Sequence, residues 1–84
     1  MEDIKVLRSR IDKIDDELIK LFENRLDIAK RIGDIKRKNN IKVVDLKREE
    51  EVIRKNVSMV KNKDYSDLAQ CFFKNIIELS KKVQ

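Results

Sequence analysis

From Ile4 onward the apolar residues recur in sevens, with Ile4, Ile11, Leu18 and Ile32 on one seam position and Leu7, Ile14, Leu21, Ile28 and Ile35 on the other. Alternating steps of three and four keep such residues on one side of an α-helix. The pattern predicts a first helix over 4–38. Asp3 is its expected N-cap, and Asn39-Asn40 its expected stop, because Asn tolerates the left-handed conformation and Arg37 and Lys38 suit a helix C-terminus. At about 1.5 Å per residue this helix is on the order of 50 Å long. A compact globule of this size has a radius of gyration of roughly 12 Å, so one chain cannot wrap it.

Residues 41–44 read as a short connection, and Asp45 as the N-cap of a second helix with the stripe Leu46, Ile53, Val57 and Val60, running to about Lys61. Asn62-Lys63-Asp64 marks the next break. A third helix is expected from Tyr65 or Ser66, carrying Leu68, Phe72, Ile76, Leu79 and Val83, its apolar face widened by Ala69, Phe73 and Ile77. The fold class is all-α: three helices per subunit, one long and two shorter, as a single domain over 1–84. Helices two and three fold back along helix one but leave much of its seam uncovered. Homodimerisation through helix one is the simplest remedy, giving an intertwined helical homodimer.

Composition sharpens this. Among 84 residues there is no Pro and one Gly, so the punctuation of β-hairpins is missing. There is no His and no Trp, and Cys71 is the single cysteine, which excludes His-based acid–base catalysis, Ser-His-Asp triads, His–zinc sites and intrachain disulfides. Beside Phe72 and Phe73, Cys71 reads as a buried small hydrophobe, and one unpaired cysteine suits a reducing, cytoplasmic setting. The N-terminus, Met1-Glu2-Asp3, has no apolar h-region, and no apolar run exceeds three residues, so neither a signal peptide nor a membrane span is expected. Net charge +5 and a pI near 9.4 raise nucleic-acid binding, but 16 acids are interspersed among the 21 cations and no aromatic platform accompanies them.

Several polar residues break the apolar faces. Arg25 occupies the one seam position of helix one that is not aliphatic, where a cation is costly unless an anion meets it. That anion is either a carboxylate of the protein, in an internal ion pair, or one from a ligand. Arg8 and Lys36 lie four heptads apart on one flank of the seam. Arg48, a cation in the wrong half of helix two for its dipole, sits beside Glu49. Ser80 and Gln84 are spaced i, i+4 on helix three, able to reach one interior space. Together they describe a pocket for a small, multiply anionic ligand.

These positions resemble the all-helical chorismate mutases. The resemblance rests on Leu7-Arg8-x-x-Ile11-Asp12-x-x-Asp15-x-x-Leu18, on Arg25-x-x-x-Ala29-x-x-Ile32-Gly33-x-x-Lys36, on Val44-Asp45-x-x-Arg48-Glu49, and on Phe73-x-x-Ile76-Ile77-Glu78-x-Ser80-x-x-x-Gln84. It implies an intertwined homodimer rearranging chorismate to prephenate, with no cofactor and no metal. Residue by residue, it implies that Arg8 reaches into the partner subunit's site while Arg25 takes a substrate carboxylate. Lys36 and Gln84 would address the ether oxygen. Arg48 and Ser80 would complete the polar contacts, Glu49 with the backbone at Asp45 would hold the ring hydroxyl, and Gly33 would allow close helix approach. Isochorismate pyruvate lyase shares this fold, its arginines and its lysine. A non-catalytic helical dimerisation module and a basic nucleic-acid binder are the readings from other classes.

Overall fold

The computed structural model describes residues 3–84; Met1 and Glu2, on which the expectation about the N-terminus partly rests, lie outside the described residues. Three α-helices follow one another: α1 (Ile4–Lys38), α2 (Leu46–Ser58) and α3 (Ser66–Val83), with a single 3₁₀ turn (Lys63–Tyr65) leading into α3. No strand occurs among the described residues, and the all-α expectation holds.

Helix α1 begins and ends where its caps dictate. The Asp3 carboxylate accepts the Lys5 amide, satisfying one of the orphan donors of the first turn. At the other end Asn40 takes a left-handed φ of 55°. The Asn40 amide then donates to the Arg37 carbonyl and the Ile41 amide to the Lys36 carbonyl, the paired contacts of a Schellman stop. This reversal matters for the site, because it returns 41–45 across the last turns of α1.

Helix α2 starts where Asp45 accepts the Arg48 amide, but it ends at Ser58 rather than near Lys61. The Ser58 hydroxyl donates to the Lys55 carbonyl, and the Met59 and Val60 amides turn to carbonyls three residues back. A side chain competing for backbone acceptors tightens the last turn and stops the helix. Asn62 then accepts the Asp64 amide and caps the 3₁₀ turn.

Helix α3 packs on both α2 and α1, whereas α1 and α2 make no close backbone contact. Helix α2 therefore lies on α3, not along α1 as the helix lengths suggested. The face that α3 turns inward is Ala69, Phe73, Ile76, Ile77 and Ser80. Leu68 and Phe72, from the expected principal stripe, are exposed. Cys71 shares their side and is exposed too, which corrects its assignment to the core. The physical reason is that α3 is apolar over more than half its circumference, so its pattern does not say which half a single chain covers.

Ala29 and Ile77 are the only buried hydrophobic residues among the described residues, and Ile4, Ile11, Ile14, Leu18, Leu21, Ile28 and Ile35 all stand exposed along α1. The chain is correspondingly elongated, 58 × 25 × 15 Å with a radius of gyration of 16.2 Å. No helix of the described residues is long and apolar enough to cross a membrane.

Candidate functional site

Where α3 crosses the C-terminal half of α1, Gly33 is buried and a Cβ there would lie 2.6 Å from the Gln84 Cα and 2.8 Å from its main-chain oxygen. Glycine is what lets the end of α3 reach α1. A pocket of about 290 Å³ opens between the helices, walled by Ile28, Ala29, Ile32 and Val43 on one side and Val52 and Ile77 on the other. Its polar lining comprises Arg25 and Lys36 from α1, Asp45, Arg48 and Glu49 from the start of α2, and Ser80, Lys81 and Gln84 from α3.

Seven of the eight sequence-predicted site residues thus meet in one cavity. Arg8 does not. It is exposed on the first third of α1, and the 17 positions between it and Arg25 amount to about 25 Å of helix.

Arg25 donates to the Ser80 hydroxyl, and that hydroxyl donates to the Ile76 carbonyl at 2.8 Å. Among the described residues no carboxylate pairs with Arg25. Burial, and then the nearby positive charge of Arg48, hold the Arg25 pKa below its ordinary value. Arg48 has Glu51 3.9 Å away on its own helix, but no carboxylate is paired with Arg25 among the described residues, so the two cations lining this pocket are not halves of an internal ion pair. A guanidinium does not lose its proton to relieve this, so the geometry favours an anion arriving from outside.

Lys36 donates to the Val43 carbonyl at 2.9 Å and to the Gln84 Oε1 at 3.3 Å. An ammonium has three donors, which leaves one N–H for a ligand. With Gln84 Oε1 turned to Lys36, the amide NH₂ is the end able to donate. The Arg37 guanidinium, fixed by Asp34, donates to the Gln84 main-chain oxygen and secures the end of α3.

Two participants escaped the sequence. The Val43 carbonyl lies on a loop whose path depends on the Schellman stop. Lys81 looks like an ordinary last-turn lysine, yet its ammonium lies 2.8 Å from Glu78 and 3.3 Å from Glu49 Oε1. Hydrogen bonding to Glu78, and secondarily the Glu49 carboxylate, raise its pKa despite partial desolvation. The available signal was spacing, since Ile77, Lys81 and Gln84 share one helix face.

The chain is all-helical, with an apolar-walled, cation-rich pocket between its helices. The family model for chorismate mutase type II matches residues 7–84, and the chain belongs to that family. It is 46% identical over 55 residues to a bifunctional chorismate mutase/prephenate dehydratase of Aquifex aeolicus (strain VF5), a stretch that is 66% of this chain and 15% of that protein. It is 41% identical over 49 residues to the T-protein of Haemophilus influenzae, 58% of this chain and 13% of that one. The chain therefore matches only a small part of each curated relative's length. A solved structure of a conserved hypothetical protein from Pyrococcus furiosus superposes with a TM-score of 0.75 at 41% identity, covering 95% of this chain and 92% of that one.

Proposed function

We propose that the chain is a cytoplasmic chorismate mutase, converting chorismate to prephenate on the route to phenylalanine and tyrosine, and that it works as a homodimer. The observation that carries this is the pairing of Arg25 and Arg48 around one cavity with no carboxylate on Arg25. A dicarboxylate satisfies both cations at once.

The rearrangement breaks a C–O bond and makes a C–C bond within one molecule, with no proton transferred and no nucleophile. What a protein contributes is a reactive conformer held in place and donors where charge grows. Arg25 takes one substrate carboxylate, while Arg48 and Ser80 complete the polar contacts. Lys36 and Gln84 face the ether oxygen, whose negative charge increases as the C–O bond lengthens, so their hydrogen bonds strengthen toward the transition state. Glu49 and the Asp45 backbone hold the ring hydroxyl. The apolar walls keep the field of these groups undiluted by water. The long exposed seam of α1 is covered by a second copy, which brings its own Arg8 to this pocket.

The test is product analysis with chorismate and isochorismate supplied separately. Prephenate from chorismate is the expected result. Pyruvate and salicylate from isochorismate, with chorismate untouched, would instead make the protein a lyase on the same fold.

A further inference from the structure

Lys81 lines the cavity beside Ser80 and Gln84, yet the proposed mechanism gives it no role. Its side chain is only 23% exposed and that of Glu49 only 20%. Glu78, one turn back on the same helix, takes the tight contact at 2.8 Å. From that anchor the Lys81 ammonium reaches across to α2, standing 3.3 Å from one oxygen of the Glu49 carboxylate and 3.4 Å from the other.

The near equality of those two distances is informative. An ammonium shared by both oxygens restricts rotation of the carboxylate plane, which a long flexible side chain otherwise leaves free. Both contacts are longer than the roughly 2.7–2.9 Å of a strong charge-assisted bond, and a carboxylate has about four lone-pair sites. Glu49 is therefore held in orientation with acceptor capacity to spare.

We propose that Lys81 is a positioning residue for Glu49: anchored by Glu78 on α3, it fixes the Glu49 carboxylate across the α2–α3 gap, ready to accept the substrate's ring hydroxyl. This rests on the mutase function proposed above. Lys81 touches no reacting atom. Its effect passes through Glu49, and Glu78 is part of the device only as the anchor.

A double-mutant cycle tests this, with kcat and KM for chorismate measured on wild type, Lys81→Met, Glu49→Gln and the double variant, each shown to be folded by far-UV circular dichroism. Lys81→Met is expected to lower kcat/KM about tenfold, the size of one lost charged contact. Lys81→Arg restores most of it, and Lys81→Met costs nothing further on the Glu49→Gln background. An undiminished tenfold loss on that background overturns the inference while leaving the mutase intact. A wild-type protein that leaves chorismate unchanged overturns both.

Discussion

The Lys36 ammonium and the Gln84 side-chain carbonyl stand 3.3 Å apart although 48 positions separate them. The contact joins the last turns of α1 to the end of α3, and it exists because Gly33 lets the Gln84 backbone come against α1. One glycine thus determines where two of the proposed ether-oxygen donors sit.

Gly33→Ala tests that dependence. Alanine gains about 1 kcal/mol of helix propensity, but its Cβ must displace backbone atoms of Gln84, and overpacking costs about 1–3 kcal/mol. The two terms leave a net loss of about 0–2 kcal/mol in stability. Function suffers as well, because the end of α3 must lift off α1. The melting temperature is expected to fall by no more than about 15 °C, leaving the protein folded at assay temperature, while kcat/KM for chorismate falls at least about tenfold.

Arg25→Ala separates a ligand-binding cation from a structural one. Breaking a buried ion pair costs about 3–5 kcal/mol. Arg25 instead faces Arg48, whose positive charge helps hold the Arg25 pKa down, so its removal relieves repulsion. Thermal melts are expected to show a stability change within about 1 kcal/mol. Turnover should fall about a hundredfold or more, equivalent to about 2.7 kcal/mol of lost transition-state binding.

The placement of Arg8 far from its own chain's pocket gives a mixing experiment. Arg8→Ala and Arg25→Ala homodimers are each expected to be inactive. Unfolding and refolding them together forms mixed dimers in which one site has both arginines and the other neither. Activity should return to about a quarter of wild type with random pairing of a two-fold dimer. No recovery, with mixed dimers demonstrated, would place Arg8 outside the partner's site.

Lys81 gives a pH prediction. Its pKa is raised above the ordinary 10.5, first by Glu78 and then by Glu49. A raised value means the folded state binds the proton more tightly than the unfolded chain does. The stabilisation is full below the ordinary value and is lost as pH climbs through the raised one. Lys81→Met should therefore narrow the stability gap from wild type only on the alkaline side, read as melting temperature against pH.

Much of this was legible in the chain itself, for identifiable reasons. The span of α1 follows from a heptad interrupted only at Arg25, from the Asp3 side-chain cap and from the left-handed backbone of Asn40, all of them local chemistry. The polar positions of the pocket were visible because each interrupts an apolar face, Arg25 most plainly. The end of α2 was hidden because the Ser58 hydroxyl bond is a local competition that periodicity does not register. Cys71 was misplaced because α3 is apolar on two sides, and which side α1 and α2 cover is a tertiary matter. Lys81 escaped because its partner Glu49 is 32 positions away and meets it only once α2 lies on α3.

The most direct measurement is the conversion of chorismate to prephenate by wild type and by Lys36→Ala, followed at equal concentrations of folded protein. Wild type is expected to turn over, and Lys36→Ala to lose about a hundred- to a thousandfold in kcat, as for a lost oxyanion donor, without unfolding. A folded wild type that leaves chorismate unchanged, or a Lys36→Ala protein of undiminished rate, would contradict electrostatic stabilisation of the breaking ether bond in this pocket.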